Sequence, residues 1–233
     1  MGRIHLVRHG QASLLEDDYD RLSSLGITQS RATGRWLGPR IPPPVAVISG
    51  SLRRQVQTVE GLLEGAGWPA TLAGIDPRFD EYSHHDLFAR AYPELADAAA
   101  MAAHLRAHPE PRREFHRLFE AAFRGWLRGD TPGANGTSWS SFREGCVAAL
   151  MDVAVRCGPG RHAVVATSGG PIAAICQALL GLPDGRVLEV HNPLHNASIT
   201  QVLARPGQAG LAIFNSVAHL QLDTDGPELV TYR

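Results

Sequence analysis

The chain has 233 residues, 44% of them hydrophobic, and a formal net charge of −1. That length suits one large α/β domain with a sizeable core, and the near-zero charge argues against non-specific binding to nucleic acid or to an anionic membrane. No lysine occurs, so all 22 cations are arginines, and any phosphate or carboxylate pocket must use Arg, His or backbone N–H groups.

In chain order, the apolar run Ile4 to Val7 predicts a buried strand, and it runs straight into Arg8-His9-Gly10-Gln11. Thr28 predicts the cap of a helix reaching about Leu37, which Gly38-Pro39 ends. Val45 to Ile48 predicts a second short strand, and Arg54 to Leu63 a helix with Val56, Val59, Leu62 and Leu63 near helical spacing. A turn at Asp76-Pro77 precedes Asp80-Glu81. From about 86 to 129 an alanine-rich helical insertion follows, punctuated by Pro93, Pro109 and Pro111. It reads either as a lid or as a plain packing pair. Residues 129–138, GDTPGANGTS, predict a turn-rich loop, and Ser140 to Arg156 another helix. Ala163 to Thr167 predicts a third strand. Gly169-Gly170-Pro171 then opens a helix through Ile172, Ile175 and Leu179 that Gly181 closes. Ala197 to Leu203 and Leu211 to Val217 predict two late strands. This βαβα order implies an α/β fold, one domain over 1–233, with a mostly parallel sheet and helices on both faces.

No apolar run reaches about 18 residues, so no membrane helix is expected. Charge and histidine interrupt the N-terminal apolar stretch at once, unlike a signal peptide. Cys146, Cys157 and Cys176 are odd in number and widely spaced, which points to a reducing cytoplasm, to small buried side chains and to no metal cluster.

Ligands of open α/β sheets bind at the carboxyl ends of the strands. Three strand ends here carry polar, glycine-marked sequences: Arg8 to Gln11, Ser49 to Arg54 and Thr167 to Gly170. Arg8 and Arg54 suit a dianion, through charge-assisted forked hydrogen bonds. His9 suits a nucleophile that attacks phosphorus through a neutral ring nitrogen. Gly10 would allow a sharp turn and close approach to the ligand. The glycines before Pro171 would offer N–H groups to an anion. A proton donor for the leaving oxygen is still required, and Asp80-Glu81 is the source the spacing offers.

The stretch LVRHGQAS resembles the signature of the histidine phosphatase superfamily, the phosphoglycerate-mutase-like proteins. LSSLGITQSRATGRWL, SGSLRRQVQTV, FDEYSHHD and NASIT resemble further segments of that family. The resemblance implies a three-layer α/β/α sandwich with a helical insertion. It implies phosphoryl transfer through a phosphohistidine on His9, with Arg8 and Arg54 on the phosphate and Glu81 as proton donor. No metal or other cofactor is implied. A small phosphorylated substrate and phosphate are the partners; a homodimer is left open.

One departure matters. The family has a second histidine after the third strand, and here Ser168 occupies that slot in VVATSGGPI. The pocket thereby loses up to one positive charge. Ser168 and the Gly169 and Gly170 N–H groups would still donate hydrogen bonds. His84, three residues after Glu81, is the favoured substitute imidazole, ahead of His85, His191 and His195. Gln11 and Ser13 are candidate contacts to phosphate or substrate, and Tyr82, Phe88 and the insertion would form the outer wall. Retained phosphatase activity is favoured, since Arg8, His9, Arg54 and Glu81 are all present. The alternatives are a mutase-type phosphotransferase, or a weakened phosphoester-binding protein. No basic surround for a bisphosphorylated sugar acid stands out, though Arg90, Arg106, Arg112 and Arg113 lie in the insertion. A rival from another class reads Ala166 to Gly170 as the nucleophile elbow of an α/β-hydrolase, with Asp184 and His191 or His195 downstream. That rival leaves Arg8-His9-Gly10 unexplained.

Overall fold

The computed structural model describes residues 1–13, 20–131, 133, 136–222 and 229–232. Among these residues, six strands form one sheet in the order β3-β2-β4-β1-β5-β6. They are β1 (Gly2–Arg8), β2 (Val47–Ser49), β3 (Ala73–Ile75), β4 (His162–Thr167), β5 (Ile199–Arg205) and β6 (Gln208–Ser216). β1, β2, β3 and β4 pair in parallel; β5 runs antiparallel to β1, and β6 antiparallel to β5. Pro206-Gly207 between β5 and β6 is too short for a crossover, so these two strands must form a hairpin.

Side-chain alternation sorts the sheet residues between two cores. Ile4, Leu6, Ile48, Ala163 and Val165 face one cluster, and Val7, Val47, Val164 and Ala166 face the other. The second cluster is closed by α1 (Ser24–Leu37) and α2 (Arg53–Ala66), the first by α6 (Trp139–Cys157) and α7 (Gly169–Leu180). The result is helices on both faces of a mixed sheet.

The helix bounds follow local chemistry. Ser23, not Thr28, caps α1: its extended backbone lets its side chain accept the Gly26 N–H. Thr28 lies inside the helix, with Oγ1 donating to the Ser24 carbonyl. Ser138 caps α6 by accepting the Ser141 N–H, and Gly181 ends α7 at φ 63°, a left-handed conformation suited to glycine. Residues 132 and 134–135 of the predicted turn-rich loop lie outside the described residues. Between β3 and α6 the chain forms α3 (His84–Ala91), α4 (Ala98–Ala107) and α5 (Pro111–Arg128). Buried Glu114 ties α4 to α5, accepting from Arg117 at 2.7 Å and meeting His104 Nε2 at 3.0 Å. Sequence reading missed β3 and the short α8 (Val187–His191). β3 has three residues, all exposed, so no burial period marks it. The chain ends its described helices with α9 (Ala218–Gln221). The three cysteines are buried and free.

Candidate active site

Strand register assembles the site. Arg8 lies opposite Thr167, and Ser49 opposite Ala166, so the polar ends of β1, β2 and β4 share one rim. His9 continues β1, its N–H donating to the Thr167 carbonyl at 2.8 Å. From the other side, the Ala197 N–H donates to the His9 carbonyl at 3.2 Å. Ala197 adopts a left-handed φ of 54°, an unfavourable conformation for a residue with a Cβ. The NASIT segment thus braces the histidine's backbone.

The His9 ring is 7% exposed, and its Nδ1 lies 2.7 Å from the Gly10 carbonyl oxygen. A carbonyl can only accept, so Nδ1 carries the proton and Nε2 presents its lone pair. Burial, then the Arg54 and Arg8 guanidiniums, hold the imidazole well below its ordinary pKa, and His84 adds to the effect. The ring is therefore neutral near pH 7, as a nucleophile requires. Gly10 is also needed for a reason its sequence context does not reveal. A methyl carbon there would stand 2.3 Å from the Gly26 carbonyl oxygen of α1, so the close approach is to a helix. Its N–H donates to Thr58 Oγ1 at 3.1 Å, tying the loop to α2.

Arg54 sits in the first turn of α2, 7% exposed, while Arg53 beside it is exposed. Arg54 Nη1 meets Asp20 Oδ1 at 2.6 Å, and Asp20 Oδ2 accepts the Arg53 N–H at 2.8 Å. Asp20 therefore caps α2 and orients the arginine across sequence-distant segments, a role the sequence did not reveal. Arg8 donates through Nη1 to the Leu194 carbonyl.

The structure separates the two neighbouring carboxylates. Asp80 accepts from the Ser51 N–H and hydroxyl, a local tie at the start of α2. Glu81 instead accepts the Gly170 N–H, at 3.1 Å to each oxygen. Burial raises the Glu81 pKa; the Gly170 N–H, Arg54 and Arg8 pull against that rise without cancelling it. A carboxyl biased toward its protonated form beside two guanidiniums is equipped to donate a proton. Gly170 leaves it room, since a methyl carbon there would stand 2.1 Å from Glu81 Oε1.

The other candidates divide. His84, at the start of α3, lies near enough to act electrostatically on His9, and its ring meets Phe119 edge-on at 5.5 Å. Gly169 borders Glu81, its hypothetical methyl carbon 3.8 Å from Oε2. Ser168 is fully buried, and its Oγ accepts from Gln55 Nε2 at 2.8 Å. That partner is an amide, and Asp184 is taken up by Gln177 Nε2 at 2.6 Å; neither contact builds a serine–histidine–aspartate relay. Gln11 is occupied with α1: its N–H donates to Gln29 Oε1, and its side-chain oxygen accepts from Ser23 Oγ. Ser13 is buried, its N–H donating to the Arg21 carbonyl. Tyr82 and Phe88, expected on the outer wall, are 6% and 7% exposed and belong to the core.

A buried histidine and a buried glutamate that both feel the same two arginines, Arg8 and Arg54, at a strand rim suit phosphoryl transfer. The model of the histidine phosphatase superfamily, branch 1, matches residues 4–217, and the chain belongs to that superfamily. It is 30% identical over 190 residues to the glucosyl-3-phosphoglycerate phosphatase of Mycolicibacterium vanbaalenii, covering 78% of this chain and 75% of that protein. The fold is similar to a mycobacterial glucosyl-3-phosphoglycerate phosphatase solved with VO3, at 26% identity and TM-score 0.63, covering 93% and 100% of the two chains. It also matches the fold of the Entamoeba histolytica phosphoserine phosphatase solved with 3-phosphoglyceric acid, at 18% identity and TM-score 0.66, covering 94% and 100%. The chain is thus an enzyme of the phosphoric monoester hydrolase/phosphoglycerate mutase type. Among the described residues, no helix is long and apolar enough to cross a membrane.

Proposed function

We propose that this enzyme cleaves small phosphomonoesters through a phosphohistidine on His9. Nε2 attacks phosphorus, a P–N bond forms, and the P–O bond to the leaving group breaks. The leaving oxygen takes its proton from Glu81. Water then attacks the phosphohistidine and yields its proton to the Glu81 carboxylate, releasing phosphate and restoring both residues. Arg8 and Arg54 hold the phosphoryl oxygens, with the Gly169 N–H, Ser168 and His84 completing the pocket. Gln11 and Ser13 shape the loop behind the nucleophile. A reducing, cytoplasmic setting fits the free buried thiols.

The observation that carries this reading is the Nδ1 contact to the Gly10 carbonyl. It presents Nε2 as a lone pair in a ring that its surroundings keep neutral. The test is phosphate release from a panel holding p-nitrophenyl phosphate, alkyl phosphates, phosphoserine, 3-phosphoglycerate and glucosyl-3-phosphoglycerate. Wild type should release phosphate and trap an acid-labile phosphoryl group, and folded His9→Ala should do neither. Full activity in His9→Ala refutes the roles assigned. Vanadate binding without turnover of any member would favour a phosphoester-binding protein instead.

A further inference from the structure

We propose that His191 supplies a second imidazole to the phosphoryl pocket, reaching it from the end of α8 on the side where Ser168 carries none. The inference rests on the reading of His9 as phosphoryl acceptor.

The placement of His191 is specific. Its Nε2 lies 3.3 Å from the position a methyl carbon would take on Gly169, and Glu81 Oε2 lies 3.8 Å from that same point. The ring nitrogen and the proton donor therefore border one small space, beside the residue that opens α7. His191 is 7% exposed, so it is built into this wall. Phe123 and Phe119 hold the ring, at 5.4 and 6.1 Å between centroids. Phe119 also meets His84, so one aromatic ring stands against both imidazoles.

The opposite edge of the ring sets its orientation. His191 Nδ1 faces Asn192 Oδ1 at 3.5 Å, and Asn192 Nδ2 donates to Glu120 Oε1 at 3.1 Å. Because the amide nitrogen is committed to Glu120, it is the amide oxygen that faces the ring. Nδ1 thus points to an acceptor, and Nε2 is the atom turned toward Gly169 and Glu81. When the ring takes up a proton with an anionic substrate, Nε2–H becomes a charge-assisted donor to a phosphoryl oxygen. Ser168 cannot supply that charge, because its hydroxyl is neutral; its oxygen accepts from Gln55 Nε2. His84 acts electrostatically on His9, and His191 shares the space beside Gly169 with Glu81. The charge that the serine leaves out thereby returns from a different element of the fold.

The deciding variant is His191→Phe, which keeps a ring between Phe119 and Phe123 and removes Nε2. Three quantities are measured: thermal unfolding, kcat/KM on p-nitrophenyl and alkyl phosphates, and the dissociation constants of vanadate and inorganic phosphate. A donor to the transferring group predicts a folded variant losing about 10²–10³-fold in kcat/KM on both substrates. Vanadate, which imitates the five-coordinate transition state, should lose more affinity than phosphate. Ser168→His added to His191→Phe should restore part of the rate. The proposal is overturned if folded His191→Phe keeps wild-type vanadate affinity, or if only alkyl phosphates are affected, since the latter places His191 on Glu81 alone. Should His191→Phe fail to fold, His191→Asn, whose amide stops short of Gly169, is judged by the same criteria. Vanadate binding needs no turnover, so the two readings fail separately: an inactive wild type refutes the hydrolase mechanism, and unchanged vanadate affinity refutes only the second imidazole.

Discussion

Gly170→Ala probes the proton donor without touching it. A methyl carbon at 170 would lie 2.1 Å from Glu81 Oε1, 2.7 Å from Tyr82 Cε1 and 2.9 Å from Tyr82 Cδ1. Contacts this short force one neighbour to move. Tyr82 is wedged among Phe123, Trp126 and Phe142, with centroids 5.5, 4.9 and 5.8 Å away, so it resists. The Glu81 carboxyl is the far end of a flexible side chain and gives way, losing both 3.1 Å contacts to the Gly170 N–H. Overpacking of this kind costs about 1–3 kcal/mol, and exchanging glycine for alanine inside a helix returns about 1 kcal/mol. The net destabilisation is therefore about 2 kcal/mol or less, and the protein should remain folded. The kinetic effect should be larger and selective. General acid catalysis contributes about 10²–10⁴-fold, so kcat/KM on an alkyl phosphate should fall by about 10²-fold or more. p-Nitrophenyl phosphate, whose leaving group needs little protonation, should lose far less. Glu81→Gln sets the ceiling for this effect. Steady-state rates on the two substrates, with a urea titration to verify folding, provide the assay. Equal losses on both substrates, or an undiminished rate on the alkyl ester, would refute the assignment of Glu81 as proton donor.

Two pH dependences follow from the same geometry. His9 must be neutral and its pKa is held well below 6.5, while Glu81 must be protonated and burial raises its pKa above 4.5. The kcat/KM profile on alkyl phosphates should thus be bell-shaped with an acidic optimum, falling as pH rises through the raised Glu81 value; a low-pH limb at 6.5 or higher would contradict it. Stability has a separate acid sensor in His5, buried on β1, whose Nε2 meets His162 Nδ1 at 3.0 Å. Burial, His162 and Arg3 lower its pKa from 6.5 to about 4. Unfolding lets the ring bind a proton that the folded state refuses, so stability is full above pH 6.5 and is lost as pH falls toward 4. At about 1.4 kcal/mol per pH unit, this single group removes about 3 kcal/mol over that window. Urea unfolding of wild type and His5→Leu at a series of pH values should show the variant losing less between pH 6.5 and 4, and parallel curves would rule His5 out.

The sequence by itself singled out His9, Arg8, Arg54 and the Asp80-Glu81 pair as candidates. They stand next to a buried strand end, a helix start or a turn, and local patterns mark such places. The helix that Gly181 closes and the buried strands Ile4 to Val7 and Ala163 to Thr167 were legible for the same reason, since chain conformation and local burial are properties of neighbours. Tertiary structure decided the rest. Asp80 and Glu81 are adjacent and chemically alike, and only the positions of Ser51 and Gly170 assign them different work. Ser168 faces Gln55, Asp20 grips Arg54, and His191 borders Gly169 because strand register and helix approach bring distant segments together. β5 also turns back against β1 where a parallel strand was the simpler expectation. Periodicity tells a side chain which face to bury, but the identity of the polar partner it meets there depends on where the rest of the chain arrives.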